Sequence, residues 1–159
     1  MPQYRTQPHH SKIYEALWVI ADERLEVTSS TTARVFSSSR NKFYTVEYDP
    51  WKNAIMANDN SSYRVGDLGY PSIALLFKLW ALPFNQDYAN ALVWIKWKDI
   101  NQKNNNDFDK TIEEVDENVL ATQWVDITLF HQYVDDTLAE IKNMKLSYLG
   151  EKSTPPKGY

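Results

Sequence analysis

Apolar residues first recur at helical spacing at Ile13, Leu17 and Ile20, with Tyr14, Trp18 and Ala21 widening the stripe. The pattern predicts a helix from Ser11, placed as its N-cap, to about Glu23. Thr28-Ser29-Ser30-Thr31-Thr32 then reads as a polar loop. Three strand-like runs follow: Ala33–Ser37, Phe43–Tyr48 and Ala54–Ala57, separated by turn-forming clusters at Ser38–Asn41 and Asp49–Asn53. Alternation along the second run assigns Tyr44, Val46 and Tyr48 to the core and Phe43, Thr45 and Glu47 to the outer face. These runs predict a three-stranded antiparallel meander.

Residues 58–69 form a polar, glycine-bearing loop, and Pro71 suits the first turn of a strongly apolar helix ending at Leu82, before Pro83. With apolar residues on nearly every side, that helix is expected at the centre of the core. Beyond it the pattern is helical and acidic. A segment capped by Asn85 reaches Trp94 or Trp97, the asparagine-rich stretch 101–106 reads as a connector, and a short helix spans Asp109–Leu120. A long helix from a Thr122 cap runs to about Leu149, closed by Gly150. The expected fold class is α+β, with a leading helix, the meander, a buried central helix and three to four C-terminal helices. One domain is expected over 11–150, with flexible tails at 1–10 and 151–159.

The chain of 159 residues is 43% hydrophobic and 14% aromatic, with 6 Trp and 10 Tyr, which is ample for a packed core. It has no cysteine, so disulfides and thiolate zinc sites are excluded. No apolar run reaches the length of a membrane span and the start lacks a signal-peptide pattern, so the cytoplasm is the expected location. The net charge of −4 is uneven. Residues 1–80 hold 9 Lys and Arg against 8 Asp and Glu, and residues 81–159 hold 8 against 13. Duplex DNA binders carry a clear basic excess, which this chain lacks.

Two strands, a glycine-bearing loop and an apolar helix over 32–82 form an order that resembles the SWIM zinc-finger family. Ser37-Ser38-Ser39-Arg40-Asn41-Lys42-Phe43-Tyr44-Thr45-Val46 looks like that family's hairpin, and Gly69-Tyr70-Pro71-Ser72-Ile73-Ala74 stands where its second ligand pair precedes the helix. The resemblance implies a β-β-α core whose C-x-C and C-x-H ligands fall at Asn58, Asn60, Tyr70 and Ser72. Amide and hydroxyl oxygens do not replace thiolate and imidazole on tetrahedral zinc. The resemblance therefore implies a finger without metal, its loop held by polar contacts to which Asp59 and Tyr63 contribute. Any meander followed by a core helix presents the same order.

Candidate chemistry is sparse. His131 and Asp135 lie four apart on the last helix, a spacing that more often marks a surface pair than a catalytic one. No nucleophile elbow, phosphate loop or dinucleotide fingerprint occurs, and neither a catalytic residue nor a cofactor is expected. His9-His10 reads as part of a tail and Glu113–Glu117 as a solvated acidic face. Arg34, Arg40, Lys42, Lys52 and Arg64, interleaved with aromatics such as Trp51, offer a candidate single-stranded nucleic-acid surface. Trp80, Phe84, Trp94 and Trp97 offer a candidate protein or self-association interface. The leading expectation is a non-catalytic interaction module. A nucleic-acid accessory protein is the second reading, and an enzyme of unknown type the third.

Overall fold

The structure is a computed structural model describing residue 4 and residues 7–38 and 42–157. The α+β class holds, but the sheet has five strands where three were expected. Strands β1 (Leu25–Val27), β2 (Thr32–Phe36), β3 (Phe43–Asp49) and β4 (Ala54–Ala57) form an antiparallel meander. β5 (Ser147–Tyr148) joins β4 in parallel from the far end of the chain. Strands β1 and β5 are three and two residues long, too short to carry a period-2 signal. β3 alternates as expected, with Tyr44, Val46 and Tyr48 buried and Phe43, Thr45 and Glu47 exposed.

Helix α1 spans Ser11–Ala21 and α2 spans Tyr70–Lys78. α2 lies on β3 and β4, α1 lies on α2, and α1 is covered in turn by α3 (Gln86–Ala91), α5 (Phe108–Val115) and α6 (Ile127–Met144). The central position is therefore shared: α1 buries every residue from Ile13 to Val19, Glu15 included.

Boundaries moved where polar side chains compete for the helix ends. α6 begins at an Asp126 cap that accepts from the Leu129 N–H, not at Thr122. It ends at Met144 with Lys145 left-handed, well short of Leu149. α2 stops at Lys78 because Trp80 turns left-handed (φ 59°), and residues 79–82 form a turn. The segment expected from Asn85 to Trp94 or Trp97 is helical only over α3, which ends at Ala91; a separate α4 (Trp97–Lys103) begins at Trp97 and takes in Asn101, which had been assigned to a connector. The loop 58–69 contains a π-helical turn, Ser61–Val65, closed by Gly66 at φ 90°.

The first ten residues are not a free tail where they are described. The Tyr4 hydroxyl donates to the Ile55 carbonyl (2.9 Å), and its ring packs against Tyr148. His9 Nε2 meets Asp109 at 2.8 Å and His10 Nε2 meets Asp135 at 3.1 Å, which pins the head of α1 to α5 and α6.

Candidate functional site

The four positions that the resemblance sets against zinc ligands, Asn58, Asn60, Tyr70 and Ser72, do not share a single role. Asn58 Oδ1 accepts from the Thr45 N–H (2.9 Å), extending the β3 ladder by one rung. Asn60 Oδ1 accepts from Arg64 Nε at 3.3 Å. Tyr70 packs edge-on against Tyr44, and burial pushes its hydroxyl well above the usual phenol range. Ser72 is fully buried in α2, and its hydroxyl finds no hydrogen-bond partner among the described residues. The polar centre of the loop is Asp59, which is 5% exposed and accepts from the Ser62 hydroxyl (2.7 Å) and the Ser62 N–H (3.3 Å). No side-chain bond from Tyr63 joins it among those described, whereas the Tyr63 N–H donates to the Asp59 carbonyl as helical backbone. Among the described residues no group of three or more His, Asp or Glu is placed to hold a metal ion.

His131 does not pair with Asp135. Its Nε2 meets Asp116 Oδ2 at 2.7 Å, and the other oxygen of Asp116 accepts from the Tyr14 hydroxyl at 2.8 Å. Asp135 pairs with His10 instead. The two His–Asp pairs flank a dent of about 190 Å³ with Tyr14, Ile112 and Val134 between them. All three histidines of the chain thus join separate elements through carboxylates. Asp116 lies on the π-helical turn Asp116–Leu120, a position the sequence had assigned to a plain acidic helix face.

Of the basic and aromatic residues on the meander, Arg40 lies outside the described residues. The Arg34 guanidinium lies 5.4 Å from the Phe43 ring centroid and Lys42 5.7 Å from that of Tyr44, so each of these cations stands over a ring of the chain itself, with Arg34 still exposed. Trp51, 97% exposed in the β3–β4 turn beside Lys52, stands apart from them.

The tryptophan group divides. Trp97, expected at an interface, is 2% exposed and packs edge-on against Trp18 at 6.4 Å; it belongs to the core. Trp94 and Trp80 are 85% and 70% exposed. Trp80 packs edge-on against half-buried Phe84 (6.0 Å). The patch continues through the Tyr133 hydroxyl, which donates to the Pro83 carbonyl (2.6 Å), and through the Tyr88–Tyr133 ring contact. Leu129, one turn before Tyr133 on α6, is exposed at its edge. Burial raises the Tyr133 hydroxyl to about 12, so it remains a neutral donor.

A second cleft, of about 440 Å³, opens between α1, α4 and the β2–β3 hairpin. Its wall includes Glu15, Tyr70, Trp97, Asn101 and Gln102. Glu15 is 4% exposed, and burial pushes its carboxyl up against the weaker opposing pull of Lys12, whose Nζ is 4.0 Å away. The Trp97 indole N–H and Asn101 Oδ1 are buried and find no partner among the described residues. Each such group costs about 1–3 kcal/mol of desolvation. The sequence signalled Glu15 only as the one acid within a largely apolar helix, and it gave no sign of Asn101.

Taken together, the fold and these surfaces define a small α+β protein with an exposed aromatic patch and a polar cleft beside α1 and α4. No described helix is long and apolar enough to cross a membrane. The chain belongs to the family described as uncharacterised conserved protein UCP014422, which matches residues 5–147. No curated protein and no solved structure matches the chain.

Proposed function

We propose that the protein is a non-catalytic interaction module that associates with a second copy of itself through the patch formed by Trp80, Pro83, Phe84, Tyr88, Leu129 and Tyr133. The observation that carries this reading is the exposure of Trp80 on left-handed backbone. At φ 59° just past the end of α2, glycine is the favoured residue and a side chain there costs about 1 kcal/mol. Trp124 is also exposed and left-handed, but Trp80 alone of the two has a described ring contact, to Phe84, beside the Pro83–Tyr133 hydrogen bond and the Tyr88–Tyr133 pair, so its strain serves an extended aromatic surface.

The patch favours self-association on electrostatic grounds. None of its six side chains is charged, so a two-fold axis through it brings no like charges together. Aromatic residues are also the side chains enriched at interface centres. The loop between Asp59 and Gly69, tightly closed on polar contacts, supports reading the β-β-α segment as a SWIM-like finger without metal.

Sedimentation equilibrium over a wide concentration range tests the proposal. The mass should climb from 18.6 kDa towards twice that value. Leu129→Glu, which plants a charge at the rim of the patch, should hold it at the monomer value, as should Trp80→Ser. A wild-type chain that stays monomeric at high concentration refutes the reading.

A further inference from the structure

We propose that the cleft between α1, α4 and the β2–β3 hairpin binds a neutral polyhydroxylated ligand, a saccharide unit, against Glu15, Trp97 and Asn101. Its size of about 440 Å³ falls within the range of small-molecule sites. The unmet hydrogen-bonding capacity in its wall selects the chemistry. Trp97 brings a donor and Asn101 an acceptor, one helical turn apart on the same face of α4.

A sugar hydroxyl is donor and acceptor at once, so adjacent hydroxyls satisfy both atoms. A carboxylate or a fully ionised phosphate has no proton for Asn101 Oδ1, and an ammonium has no lone pair for the Trp97 N–H. Neither ion fits as well. Glu15, in the lining, supplies a carboxyl that accepts when ionised and donates when protonated. Gln102 adds an amide that can do both.

A nucleobase would need an open aromatic face on which to stack. The rings here are engaged with their own chain. Trp18 carries the Arg24 guanidinium at 4.5 Å and the edge of Trp97, and Tyr44 carries Lys42 and the edge of Tyr70. Neither orphan atom is bared to solvent, so an occupant reaches them by displacing the half-buried Asn101 amide, whose Nδ2 donates to Glu15 Oε1 at 3.5 Å and whose terminal torsion is soft.

The test is a titration of the full chain labelled with 15N at tryptophan, following the indole N–H signals and assigning Trp97 by its through-space contact to Trp18. D-glucose, D-galactose, N-acetyl-D-glucosamine, sodium phosphate and adenosine monophosphate are added separately. At least one sugar should shift the Trp97 signal saturably and leave those of exposed Trp51 and Trp124 in place. Asn101→Leu should abolish the shift, with the unliganded indole signals of Trp18, Trp51 and Trp124 at their wild-type positions as the mark of a folded variant. The proposal is overturned if no sugar moves Trp97, if Trp51 and Trp124 move in step with it, or if only phosphate or the nucleotide does so. The readout at Trp97 is independent of self-association, so this idea and the preceding one fail separately.

Discussion

The α-carbon of Gly69 lies against the carboxylate of Asp59, so closely that a Cβ on Gly69 would stand 2.7 Å from Asp59 Cγ and closer still to one of its oxygens. The backbone of Gly69 is extended, at φ −81° and ψ 169°, a conformation any residue adopts. Glycine is therefore required by space alone. The contact closes the loop 59–69 on itself and seats the head of α2. Gly69→Ala should destabilise the protein by about 1–3 kcal/mol, the usual cost of overpacking. The Asp59→Ala background should absorb part of that loss, because the atoms that clash are gone. Urea midpoints of the two single variants and the double variant measure the coupling.

Ser72, three residues on, presents the opposite case. Its buried hydroxyl has no partner among the described residues, and alanine is the better helix former. Ser72→Ala should raise stability by about 1 kcal/mol, read as a higher urea midpoint. A loss of stability would mean that the hydroxyl is bonded and that its place in the core has been misjudged.

Burial raises the carboxyls of Glu15 and Asp59 above their ordinary values. The folded chain therefore binds protons more tightly than the unfolded chain at these two groups. Their contribution is most favourable below the ordinary values near 4 and is lost as pH rises through the raised ones. Glu114 acts in the opposite sense: the Lys103 ammonium at 2.6 Å lowers its carboxyl, and its contribution is lost as pH falls below 4.5. The thermal midpoint should thus rise as pH is lowered from 7 towards 5. Glu15→Gln should flatten that rise and stabilise the protein at pH 7. An unchanged slope in the variant would show that Glu15 does not titrate above its ordinary value.

Asp116 joins three elements by accepting from Tyr14 on α1 and meeting His131 on α6. Tyr14 is 1% exposed, its ring stands edge-on to Phe130, and burial with Asp116 beside it pushes its hydroxyl far up, so it is a permanent donor. Tyr14→Phe keeps the ring and should cost about 1–2 kcal/mol. His131→Leu, at a half-exposed position, should cost less. The pair should couple through the shared carboxylate by about 0.5 kcal/mol or more in a double-mutant cycle. Additive losses would show that Asp116 serves the two partners independently.

Trp124 is 97% exposed and left-handed (φ 60°), as Trp80 is, but no ring contact to it is seen among the described residues. Trp124→Gly should stabilise the monomer by about 0.5–1 kcal/mol. Trp80→Gly relieves the same strain but loses the Phe84 contact, so its net effect on the monomer should be near zero. Thermal midpoints at a concentration low enough to keep both chains monomeric compare the two.

Local pattern determined much of this molecule. The β3 alternation, the Asn85 cap, the apolar faces of α1 and α2 and the meander order all follow from side-chain periodicity and capping chemistry, which act over a few residues. The tertiary structure decided what depends on residues far apart in the chain. β5 exists because residues 147–148 find the open edge of β4, and the Tyr4 hydroxyl reaches Ile55 only once the sheet has formed. The partner of His131 was a matter of which acid stood across the gap, and the tertiary fold brings Asp116 there where helical spacing had named Asp135. Trp97 and Trp94 look alike in sequence, yet the two residues between them, Ile95 and Lys96, separate a core position from one in solvent. Spacing along a helix fixes which residues share a face, whereas packing alone fixes what that face meets.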